Sequence, residues 1–89
     1  MTITTPRDLG TAIRRIRKNL GVTQEQLALT SGTNRRAIIE IEHGKPTAQV
    51  GKVLVVLQTL GSRLEVVPPP GVSFADPDPR KVSRHGQDT

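Results

Sequence analysis

The chain has 89 residues and no cysteine, enough for one small domain and incompatible with a disulfide framework or a thiolate metal site. Its only histidines, His43 and His85, have no second imidazole at ligand spacing, so neither a metal nor a cofactor is expected. Residues 1–67 hold ten Lys/Arg against five Asp/Glu and residues 68–89 three of each, so the net charge of +5 sits on the folding part and favours an anionic partner.

After a short N-terminal arm (1–5), Leu9, Ile13, Ile16 and Leu20 mark one face of a helix running from about Pro6 to Leu20 and closed by Gly21. Thr23 and Gln26 have the spacing of a capping box for a second helix ending near Thr30. Thr33 or Asn34 caps a third, which ends by His43-Gly44. Past the Lys45-Pro46 turn, Thr47 begins a fourth that reaches Leu60, with Gly61 beyond its end. The expected fold is all-α, a bundle of four helices (five at most) over residues 6–61.

Val50, Val53, Leu54, Leu57 and Leu60 form the core face of the fourth helix. Val55 points nearly opposite and Val56 to one side, a surplus that one small domain cannot cover and that a second subunit would. In residues 62–67, Leu64 and Val66 alternate with Arg63 and Glu65 in a strand pattern stopped by prolines. A lone strand is not stable; it would pair with the region of Ile3 or with its own copy across a dimer. Val55, Val56, Leu64 and Val66 are therefore the expected dimer contacts. The tail, 68–89, is Pro-rich and charge-balanced and is expected to be disordered in isolation. Phe74, the chain's only aromatic, would be its anchor for a protein partner. With one aromatic, base stacking cannot hold single strands, so the anion is better read as duplex.

The stretch from Thr23 to Gly44 carries the chemistry. Ala28 is small enough to let two helices cross closely, and Gly32 can take the left-handed conformation that ends the first of them. Asn34, Arg35 and Arg36 then crowd the first turn of the next helix, where cations oppose the macrodipole and a polyanion would explain them. On a helical wheel Ile38 and Ile41 face inward, while Arg35, Arg36, Ile39 and Glu40 face outward as a surface for a major groove. Arginine pairs with guanine, glutamate accepts from the cytosine amino group, and Ile39 suits a thymine methyl. Thr23, Gln24 and the amides beginning the second helix form an anion site, and Lys45 is placed for a phosphate. Arg14 and Lys18 add long-range attraction. Arg17 is expected to reach Glu42 in an internal ion pair, and His43 to sit at a helix C-terminus, favoured by the dipole.

Arg17 to Gln24 reads R-x-x-x-G-x-T-Q and is followed by E-Q-L-A-x-x-S-G-x-N and I-x-x-I-E-x-G-K. Over roughly residues 9–60 this resembles the lambda-repressor/Cro type of helix-turn-helix domain. The continuation PTAQVGKVLVVLQTLGSRLEVVPP is similar to HipB-type antitoxins, whose last helix is followed by a strand that pairs across the dimer. The resemblance implies a homodimer that binds a palindromic double-stranded operator, represses its own operon and holds a HipA-like serine/threonine kinase toxin. It implies DNA contacts for Gln24, Asn34, Arg35, Arg36, Glu40 and Lys45. Two positions depart from it. Ser31 and Thr33 stand where relatives usually carry apolar residues, which suggests a looser junction, and Asn34 replaces a serine, dividing its role between helix cap and phosphate contact.

No apolar run approaches spanning length and MTITTPRD is not a signal peptide, so a cytoplasmic, nucleoid-associated protein without a membrane or metal partner is expected. Two other readings stand beside the antitoxin: a free-standing phage-type or metabolic regulator, and an adaptor that binds only proteins. An enzyme is not expected, because no nucleophile has a base at readable spacing and no phosphate loop or carboxylate cluster is present.

Overall fold

Four helices follow one another in the computed structural model, which describes residues 1–77: α1 (Pro6–Asn19), α2 (Gln24–Ser31), α3 (Arg35–Glu42) and α4 (Val50–Thr59). Three begin with the side-chain cap their sequence calls for. The Thr5 hydroxyl accepts from the Asp8 amide, with Pro6 in the first turn where its missing N–H costs nothing. Thr23 and Gln26 form the expected reciprocal capping box, at 2.9 and 3.0 Å. Asn34, not Thr33, caps α3, its Oδ1 accepting from the Ala37 amide at 2.8 Å.

All four helices end in the same way. The amide of the closing glycine (Gly21, Gly32, Gly44 or Gly61) donates to the carbonyl three residues back, and the next amide to the one five back. This is the Schellman arrangement, and it needs a residue in the left-handed region. Gly32, at φ +71°, makes the turn between α2 and α3 with open space around it. Gly44, at φ +79°, has a second constraint: a Cβ there would lie 2.6 Å from the Arg7 Cα, because α1 passes directly over the end of α3.

The core lies where α1 packs on α3, α3 on α2, and α2 on α4. Ile13, Leu27, Ile38 and Val56 are fully buried there, with Ala28, Ile41, Val53, Leu57 and Leu60 around them. Each buried Val, Leu or Ile among them contributes roughly 1.5–3 kcal/mol by leaving water. Gly10 lets α1 approach, since a Cβ at this position would run into the carbonyl oxygens of Ile41 and Glu42.

Four expectations need correction or narrowing. Leu20 is 56% exposed; it is the C-cap of α1, where the chain already turns away from the apolar stripe. α4 starts at Val50, not Thr47, because Lys45 to Ala48 closes a turn around Pro46-Thr47, with the Ala48 amide donating to the Lys45 carbonyl at 3.2 Å. The buried stripe of α4 is Val53, Val56, Leu57 and Leu60, while Val50 and Leu54 are exposed. Val56, expected at a dimer interface, is fully buried in its own core and has no surface left to offer a partner.

Residues 62–67 form no strand within the chain, and no β-strand occurs among the described residues. Met1–Ile3 and Arg63–Val67 line a common groove of about 690 Å³, yet no backbone hydrogen bond joins them. The expected tail is described only to residue 77; its remainder lies outside the described residues.

Candidate nucleic-acid interface

α3 is held from behind and bare in front. Ile38 and Ile41 anchor it in the core, and its first turn contains no acidic residue. Arg35 and Arg36 are exposed, Ile39 and Glu40 half-buried, all on or beside the outward face. Glu40 Oε2 lies 3.4 Å from Arg36 Nε and 3.3 Å from Lys45 Nζ.

Behind this face, Arg17 and Glu42 form a buried two-point ion pair at 2.6 and 3.1 Å. Arg17 Nη1 also donates to the Val22 carbonyl at 2.9 Å, tying α1 to the loop before α2. Gln24 completes the network, its Nε2 donating to Glu42 Oε1 at 3.1 Å. No buried side-chain nitrogen or oxygen lacks a partner among the described residues. A pair this well satisfied fixes geometry, and loss of one member leaves an uncompensated buried charge.

The sequence-derived phosphate residues divide into two places. Thr23 and Gln24 share a shallow cleft of about 360 Å³ with Lys18, Gly21, Glu25 and Arg35. The capping box uses the Thr23 and Gln26 amides, while those of Gln24 and Glu25 have no acceptor among the described residues. An anion here would meet two amides, an ammonium and a guanidinium, with the Glu25 carboxylate lining the same cleft. Lys45 lies in a second groove, about 170 Å³, with Glu40, with Gln49 just before α4 and with Lys52 of α4. Asn34 spends its Oδ1 on the α3 cap, and its amide nitrogen has no acceptor among the described residues.

Sequence reasoning missed Lys52 on the rim of that groove and the Gln24–Glu42 bond. Lys18, assigned only distant attraction, lines the same cleft as Arg35. Ser31 and Thr33 do not leave the junction open: their hydroxyls bond to each other at 2.9 Å, and Ser31 Oγ also reaches the Ala28 carbonyl at 3.3 Å. His43 is the C-cap of α3. Val55, Leu64 and Val66 are exposed, as is Phe74, at 72%; Leu64 lines a cavity of about 170 Å³ with Lys45, Val50 and Val53. Among the described residues no group of three or more His, Cys, Asp or Glu could hold a metal, and no helix is long and apolar enough to cross a membrane.

The family model described as a helix-turn-helix domain matches residues 10–64. An uncharacterised HTH-type transcriptional regulator of Sinorhizobium fredii is 48% identical over 67 residues, covering 75% of this chain and 88% of that protein. Another, from Haemophilus influenzae, is 38% identical over 52 residues, 58% of this chain and 53% of its own length. Among solved structures, the chain is similar to HipB in the HipB-O4 20mer complex, with a TM-score of 0.72 and 23% identity over 78% of this chain and 97% of that one. The HipA-HipB-O2-O3 complex gives the same values. These structures share the fold, a HipB-like arrangement of four helices.

Proposed function

This chain belongs to the helix-turn-helix domain family, and from that membership we propose that it is a dimeric repressor of transcription that reads double-stranded DNA with α3. The observation that carries the reading is the convergence on one face of Arg35 from α3 with Thr23, Gln24 and two uncommitted amides from the start of α2. A phosphate bound by the α2 amides holds α3 in register, and Arg35, Arg36, Ile39 and Glu40 then meet base edges. Lys45, with the Asn34 amide nitrogen, contacts backbone phosphates on the flanks. The protein acts in the cytoplasm and catalyses nothing.

Anisotropy titration of a labelled duplex from the protein's own upstream region tests this. Arg35→Ala or Arg36→Ala lowers affinity by roughly 1–3 kcal/mol per half-site and relaxes specificity; unchanged affinity for both variants would remove α3 from the groove.

The finer reading is an antitoxin that autoregulates its operon and holds a HipA-like kinase. The likeness to HipB chains solved with HipA supports it. In this reading Phe74, exposed on the segment after the helices, seats in the toxin. Co-expression with the product of the adjacent gene, followed by size-exclusion chromatography, separates this from a free-standing regulator. A stable complex weakened by Phe74→Ala is the expected result; separate elution would leave a regulator without a toxin.

A further inference from the structure

Glu40 is the one acid on the outward face of α3. The other acid of α3, Glu42, is buried against Arg17. Glu40 instead lies at the surface with its side chain 34% exposed, and one of its oxygens takes two cations, Arg36 and Lys45. The backbone sets up part of this arrangement: the Lys45 amide donates to the Glu40 carbonyl at 3.0 Å, so the turn closing α3 returns Lys45 over Glu40. Lys52 lines the same groove as Glu40 and Lys45 and brings a second positive charge to it. Ion pairs this exposed contribute little to folding, so stability does not account for the cluster.

We propose that Glu40 is a specificity-determining charge mask, which holds Arg36 and Lys45 away from phosphates until α3 meets its own operator. The inference rests on the DNA-binding reading. On an arbitrary duplex, Arg36 and Lys45 must leave Glu40 to reach phosphates, and an unpaired carboxylate is then left facing a polyanion. On the operator, a base-edge donor such as a cytosine amino group takes the place of the lost cations. The penalty therefore falls mainly on wrong sequences, as a repulsive element in a discriminating interface should. The weakness of each exposed pair serves this purpose, because a strong clasp would silence both cations on every sequence.

The test compares wild type with Glu40→Gln, which keeps the side-chain shape and removes the charge. Binding is measured by anisotropy on a random-sequence duplex and on the protein's own upstream duplex, across a range of salt concentrations. Glu40→Gln binds the random duplex tighter by roughly three- to tenfold, the scale of one or two exposed ion pairs. Its salt slope steepens by about one unit for each cation released to a phosphate. The preference for the operator narrows, while the melting temperature stays at that of wild type. Adding Lys45→Gln to Glu40→Gln removes much of the gained affinity. An unchanged random-duplex affinity and slope would overturn the mask, even if operator affinity falls, because that pattern is a base contact alone. If wild type binds neither duplex, the DNA-binding reading fails first and the mask with it.

Discussion

At the scale of single residues, one carboxylate organises much of the site. Glu42 accepts from Arg17 and Gln24 and so links α1, the start of α2 and the end of α3. Arg17 and Glu42 are nearly inaccessible to water, and removing either leaves the other charged in a dry environment. Glu42→Ala is expected to cost about 3–5 kcal/mol in urea denaturation. A loss below about 1 kcal/mol would mean that water reaches the pair and that the network does not brace the interface. The Arg17–Glu42 contact was legible in the sequence because both residues flank apolar stripes that must face each other. Gln24 was not, since its position at the start of a helix reads equally as an outward phosphate contact. Gly10 was missed despite a usable signal: a glycine inside an amphipathic helix costs about 0.5–1 kcal/mol relative to alanine, and close approach of another backbone compensates for that.

At the scale of elements, caps and turns were legible because they are local chemistry. Thr23 with Gln26, and the glycines at 21, 32, 44 and 61, mark boundaries without any knowledge of the fold. Gly32 and Gly44 separate two reasons for glycine. Gly32→Ala meets only the left-handed backbone penalty, about 1–2 kcal/mol, whereas Gly44→Ala also collides with the Arg7 backbone. The second variant should be clearly the less stable in parallel thermal melts; equal losses would show that α1 does not press on the end of α3. The entry to α1 has its own signature. Thr4 donates to Asp8 through both its amide and its hydroxyl, and these bonds hold the Asp8 carboxyl below its ordinary value of 3.8. A lowered folded-state value means a contribution present above the unfolded value and lost as pH falls through the folded one. Acid unfolding curves of wild type and Asp8→Asn should therefore converge only below about pH 4; a constant offset down to pH 2 would exclude this linkage. α4 shows where local reading stops. Its sequence is apolar on several sides, so contact with α2 selects the buried phase, and the turn at Pro46 delays its start.

At the scale of the whole molecule, the corrected phase of α4 sharpens the proposed dimer. With Val56 inside, Val50, Leu54 and Val55 remain as exposed apolar side chains on one short helix, followed by Leu64 and Val66. Arg63 and Glu65 pair within the chain at 2.9 Å, both exposed. In a two-fold antiparallel pairing centred on Leu64, Arg63 of one subunit would instead face Glu65 of the other. Glu65→Arg should then weaken the dimer in sedimentation equilibrium, and Arg63→Glu with Glu65→Arg should restore it; failure to restore would exclude this register. Residues 62–67 alternate in sequence but form no strand within the chain, and the proposed pairing needs a second chain that one sequence does not describe. In the proposed dimer, α3 reads a groove in symmetric pairs. Hydroxyl-radical footprinting of the upstream DNA is the decisive measurement. Two equivalent protected half-sites about one helical turn apart, 10–10.5 bp between centres, and abolished by Arg35→Ala with Arg36→Ala, are the predicted result. A single protected patch, or protection that survives the double substitution, would contradict it.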